Sequence, residues 1–362
     1  MTTDRTRREV LRALGLAGAA LLLPAWTRRV GAAAGERVRI GLRRASFSAW
    51  PVELAAASGG FRDAGLAVEL SYFADELAAA RALAGGALDA AVLPLPQFYA
   101  VHFGTADFAG GARPLATYQV ALVNGASLVV PAASTVRYSR QFEGRVFGLT
   151  TRLSMQSLLL KIYLQQSGLD PARDVSWEVL DRETLKGRFL AGSVHAAALE
   201  EWLPSELVLA RKARVMTPFH RLWLDYPAEV IAVGSDFAAG RADTLARLSQ
   251  ATLRAARELE RGTFGGLPAG LAAPGKRAAW RVGMEASKAG FAPFPFLSAA
   301  RLTMEEMKKG KAAPEDVDFK TVAEATCLTG LCREQMRAAG FAEVPGEDSR
   351  EERLIGCCYT GF

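Results

Sequence analysis

The residues with the chemistry to grip a small molecule fall in a few short stretches of this sequence. Ser48 and Trp50 lie in SFSAW, Glu76 in YFADE, Gln97 in PLPQF, Asn124 beside Gly125, Thr151, Ser154 and Gln156 in TTRLSMQ, and Glu200 and Trp202 in EEW. Amides, hydroxyls, aromatic faces and carboxylates of this kind line solute pockets, although each also has an ordinary use in capping helices or packing a core. TTRLSMQSLLLKIYLQQSGLDP reads as a helix capped by Ser154 and stopped at Gly168, and the N–H groups at such a start suit a carboxylate or an oxyanion. Glu76 and Glu200 pull the other way, because a carboxylate facing the site favours a neutral polar, cationic or metal-bridged ligand. A zwitterion, or an anion held with a metal cation, satisfies both demands.

Catalytic patterns are sparse. His102, His195 and His220 stand in no H-E-x-x-H or similar spacing, and no G-x-S-x-G elbow occurs. GLAAPGKR, 270–277, imitates a phosphate-binding loop but carries Arg277 where Ser or Thr would hold magnesium. The expectation is a binding protein, not an enzyme, with no cofactor in its cleft. Cys327, Cys332, Cys357 and Cys358 all fall near the end of the chain. In an oxidising compartment two disulfides stapling the tail are the first expectation. A four-thiolate metal site and redox chemistry are the alternatives, although CLTGLC and IGCCYTGF lack the paired C-x-x-C of a zinc ribbon.

The elements that must position these residues alternate in a regular way. RVRIGL, LAVELSYF and LDAAVL read as strands, separated by helices over PVELAAASGGF and DELAAARALAGG that end in glycine. After ATYQVALV and SLVVPA the alternation restarts at RVFGLT and runs to RVMTP, more than one sheet holds comfortably. EVIAVGSDF then returns the chain to the first unit. The layout is α/β in two lobes, each a mostly parallel sheet flanked by helices, with paired crossovers around Asn124 and Val230. The expected boundaries are lobe 1 over 35–125 and 231–325, lobe 2 over 126–230, and a cysteine-containing extension over 326–362. Ligands in open α/β sheets sit beyond the carboxyl ends of the strands, which gathers the stretches above at the cleft between lobes.

The N-terminal residues 1–34 read as an export signal. TRREVLR supplies a paired arginine, an apolar run follows to Trp26, and Ala32 to Ala34 offer a small-residue cleavage site, a combination that points to the twin-arginine translocase. That segment carries six arginines against two acids, so most of the +6 net charge belongs to it and no nucleic-acid partner follows from the basic balance. With no cysteine near the cleavage region, the expectation is a soluble monomer in the periplasm without a lipid anchor.

LSMQSLLLKIYLQQSGLDPARDV, LAGSVHAAALEEW, LDAAVLPLPQ, VNGASLVV and REQMRAAGFAEVPGED together resemble the periplasmic solute-binding proteins of ABC importers, above all the nitrate- and bicarbonate-binding branch of the nitrate/sulfonate/taurine family. The resemblance runs from Val38 to Asp348 and implies a type II periplasmic binding fold that captures a small solute by hinge closure and hands it to a membrane permease. A sensory binding protein of the same fold, or a metal- or redox-handling protein using the four cysteines, is the alternative. Gln156 stands where that branch has a histidine after Ser-Met, Ala126 where it has a glutamine, Glu76 where it has a tryptophan, and Glu201 where it has a proline. A preference for nitrate or bicarbonate would rest on those positions.

Overall fold

The computed structural model describes residues 27–29, 35–200, 202–262 and 274–355. Cys357, Cys358, Glu201, residues 270–273 and most of the expected signal lie outside them. The first sheet begins with a three-residue edge strand, β1 (Thr27–Arg29). β2 (Glu36–Arg43) and β3 (Leu66–Phe73) follow, burying Val38, Ile40 and Leu42 and Leu66, Val68 and Leu70 at the alternate spacing of a strand. β4 (Ala90–Pro94) is buried along its whole length, as a central strand covered on both faces must be. β5 (Leu115–Val123) is an edge strand and equally buried, because Val120 N donates to Pro293 O and Leu328 N to Thr117 O along its open side. Helices α1 (Trp50–Ala57), α2 (Glu76–Ala84) and α3 (Leu95–Phe103) connect these strands.

Asn124 and Gly125, both at positive φ (58° and 98°), turn the chain into the second sheet. It holds β6 (Ala126–Pro131), β7 (Val146–Leu149), β8 (Ser176–Val179), β9 (Ala196–Glu200) and β10 (Ala213–Pro218), with α4 (Met155–Gln166), α5 (Arg182–Leu190) and α6 (Leu203–Leu209) between them. The strand orders are β1-β3-β2-β4-β11-β5 and β10-β6-β9-β7-β8, where β11 (Pro227–Gly234) is the returning strand. Both sheets are mixed. They are not mostly parallel as expected: they run parallel through β3-β2-β4 and β8-β7-β9, and antiparallel where the crossover strands join and where β1 meets β3.

The second crossover runs through 219–226, not around Val230, which lies mid-ladder in β11 opposite Leu93 and Val120. A residue buried between two strands has no backbone freedom to hinge, and the apolar run EVIAVG explains why it is buried. One apolar cluster continues from Leu93 and Phe98 through Ala126 to Met155 and Leu159, so the two sheets share buried surface.

After β11 the chain adds helices to the first sheet: α7 (Ala242–Glu260), α8 (Leu297–Lys309), α9 (Phe319–Thr326) and α10 (Thr329–Ala339). Cys327 and Cys332 are part of this packing. Cys327 pairs in a β-bridge with Thr117, and Cys332 is buried among Leu253, Phe294, Met336 and Ala339. Both are free thiols, so neither of the expected disulfides joins them to each other. Burial pushes the Cys327 thiol up to about 11 and the Cys332 thiol higher still, which keeps both neutral.

Candidate functional site

β2 ends on Arg43, whose side chain leaves the carboxyl end of the strand and is 6% exposed. Its Nε pairs with Glu76, and its Nη2 lies 3.1 Å from Glu200 Oε1. Glu76 is the first residue of α2, a helix started by Asp75, whose carboxylate accepts from Ala78 N at 2.8 Å. Glu200 closes β9 in the second sheet, so Arg43 makes an ion pair from one sheet to the other.

Glu200 is held from two more directions. Arg182 Nη2 approaches Oε1 to 3.0 Å, and Gln156 Nε2 donates to Oε2 at 2.6 Å. Arg182 opens α5 behind Asp181, which accepts from Glu183 N and Thr184 N, and its guanidinium lies 5.8 Å from the centre of the Trp202 ring. Gln156 is the second residue of α4, capped by Ser154. On the other side of Arg43, Nη2 donates to Ser46 Oγ at 3.1 Å, Ser46 and Ser48 share a hydrogen bond of 2.6 Å, and Ser48 Oγ donates to Glu229 Oε2 at 2.7 Å. Glu76, Glu200 and Glu229 thus bring carboxylate oxygens within 4.8 Å of one another.

Three carboxylates face two guanidinium groups, and the cluster is largely out of water. Burial pushes the Glu76 carboxyl up to about 7 against the pull of Arg43, and repulsion from Glu200 adds to the rise. Burial also raises the Tyr226 hydroxyl, helped by Glu200, while Ala126 N donates to it at 3.1 Å.

Of the sequence candidates, the structure brings Ser48, Glu76, Gln156, Glu200 and Trp202 into this network. Gln97 is fully buried, and neither its Oε1 nor its Nε2 has a partner among the described residues. Four candidates have other uses. Trp50 packs in the apolar core against Phe47, Trp280 and Phe291. Asn124 pins the crossover, its Nδ2 donating to Asp225 Oδ1 and Lys288 O. Thr151 accepts from Leu153 N and Ser154 from Ser157 N, which are local turn and cap contacts. His195 is structural, accepting from Val146 N on Nδ1.

Arg43, Ser46, Arg182 and Glu229 escaped sequence reasoning. Arg43 had a signal, a charge directly after the apolar run Ile40 to Leu42 at the strand end where ligands bind. Glu229 had one too, as the lone charge in an otherwise apolar strand. Arg182 looked like any solvated residue in a first helical turn.

A family model for the NMT1-like family matches residues 31–264 of this chain. The chain belongs to the NMT1-like family. This NMT1-like chain is 26% identical over 239 residues to the nitrate import ATP-binding protein of Synechococcus elongatus, an alignment covering 62% of the chain but only 36% of that longer protein. Among solved structures it is similar to the periplasmic nitrate-binding protein of Synechocystis, with a TM-score of 0.74 at 16% identity over 87% of this chain and 92% of that one. It is also similar to the alkanesulfonate-binding protein of Xanthomonas axonopodis pv. citri bound to MOPS, with a TM-score of 0.64 at 20% identity over 82% and 99%. At such identities the two likenesses establish the two-lobed α/β periplasmic binding fold.

Proposed function

We propose that this protein is the extracytoplasmic solute-binding subunit of an ABC importer, capturing a small polar solute between its two sheets and delivering it to a membrane permease. The NMT1-like family and the fold shared with nitrate- and sulfonate-binding proteins support the capture role. The observation that carries the ligand class is the meeting of Glu76, Glu200 and Glu229. Both arginines of the cluster are already engaged by carboxylates, so a bare oxyanion would have to strip Glu200 from Arg43 and Arg182. A solute with an amine-type end gains from the excess negative charge, and a zwitterion can also use the start of α4.

Ser48, Glu76, Gln156, Glu200 and Trp202, joined by Arg43, Arg182 and Glu229, are the proposed contacts, with Gln97 as a further hydrogen-bonding group. Closure follows from differential affinity, since only a ligand that bridges both sheets favours the closed state. We assign export to residues 1–34 through the twin-arginine translocase. Cleavage near Ala34 would remove β1, an edge strand paired only with β3, and leave the rest of the sheet intact. The working form proposed is a periplasmic monomer.

Calorimetric titration of the mature protein with nitrate, bicarbonate, alkanesulfonates, amino acids and amines tests the ligand class. Tight binding of an amine or zwitterion is expected. Tight nitrate binding with no response to any amine overturns the ligand class, and no compaction in small-angle scattering with a saturating ligand overturns the closure mechanism.

A further inference from the structure

A cavity of about 420 Å3 lies apart from the carboxylate cluster and shares none of its residues. Protein interiors leave few voids larger than a water molecule, whereas sites for small molecules run from roughly 300 to 1,000 Å3. The cavity opens between the first sheet and the C-terminal helices, with walls from Val120, Phe294, Phe296, Met336 and Phe341 and with Ala300 and Cys327 deeper in the fold. Its aromatic wall is rigid. Phe294 and Phe296 meet edge to face at 4.9 Å, and Arg333 and Arg350 cover them at 5.1 and 4.6 Å.

The polar part of the lining is acidic. Asp225, Glu260 and Glu343 contribute to it, and Arg350, the one arginine of the lining among the described residues, is engaged by Glu352 at 2.8 Å and by the Asp225 carbonyl. Glu260, the last residue of α7, stands at the exposed rim of the cavity, and partial burial holds its carboxyl above the ordinary carboxylate range. A carboxylate at such a rim is stabilised by an arriving cation.

We propose that this cavity is a second ligand site, separate from the cleft, for a compact apolar molecule carrying one amine. The aromatic wall takes the apolar body, and the amine lies at the acidic rim by Glu260. The site touches both crossovers between the sheets: Val123 precedes Asn124, and Asp225 accepts from Asn124 Nδ2 at 3.1 Å. An occupant therefore packs beside the two segments that join the sheets.

The test uses the full chain with methyl-13C methionine and phenethylamine as the probe. Met336 lines the cavity, whereas Met155 sits on the cleft helix α4. The expected result is a saturable shift of the Met336 methyl resonance with Met155 unmoved, and binding about tenfold weaker for 3-phenylpropionate, which carries a carboxylate in place of the amine. Glu260→Gln should weaken phenethylamine several-fold, and Ala300→Leu should block it by filling the cavity. A native Met155 resonance in each variant shows that the fold is kept. No Met336 shift at low-millimolar phenethylamine, a response at Met155 alone, or equal binding of the amine and the carboxylate overturns the proposal, and none of these outcomes bears on the cleft.

Discussion

Glu76 carries an ionisation that both folding and binding must share. Its carboxyl is raised to about 7 from an ordinary 4.5, so the folded protein holds a proton there that the unfolded chain has already released. Stability from this group is therefore fully present below about 4.5 and is lost as pH rises through about 7. Urea unfolding across that window should show a decline with pH, and Glu76→Gln should flatten it. An amine bound beside Glu76 favours the ionised form, so binding should release a proton near neutrality; calorimetry in buffers of different ionisation enthalpy reads it directly. Glu200→Gln is the harsher change, since it leaves Arg43 and Arg182 short of a buried counter-charge. The expected loss is on the order of 3 kcal/mol in denaturant unfolding, with amine binding lost as well.

Short elements hold these side chains in place, and here the sequence was most readable. Period-two burial in β2 and β3, the Ser154 start of α4 and its stop at Gly168, where φ is +78°, all followed from local rules. The partners of the charges did not, because Arg43 meets Glu200 and Ser48 meets Glu229 across 157 and 181 residues of chain, and no periodicity encodes such a pairing. Trp50 was misplaced for the same reason: an aromatic at a helix start suits a cleft or a core, and only the distant Trp280 and Phe291 decide for the core. The α5 cap offers a test at this level. Asp181→Ala removes the acceptor for Glu183 N and Thr184 N and frees the first turn that aims Arg182 at Glu200. Thermal melting should fall by a few degrees, and solute affinity should fall more than a surface change would predict.

Across the molecule, two sheets joined at Asn124-Gly125 and at 219–226 share a buried cluster and an ion pair. Gly125 at φ +98° takes a conformation that a side chain resists, so Gly125→Ala should cost about 1 kcal/mol in unfolding experiments and shift the closure seen by scattering. The Arg43–Glu200 pair has a less obvious effect. Arg43 already places a cation between two of the acids, and it is covalently tethered there. An incoming cation must evict it, so a measured affinity is the difference between a free competitor and one held at an effective concentration of millimolar or above. Arg43→Met should therefore lower the melting temperature and leave the empty protein more open in scattering, yet tighten the binding of a purely cationic solute in calorimetry. The protein trades affinity for a cleft that is never without a counter-ion.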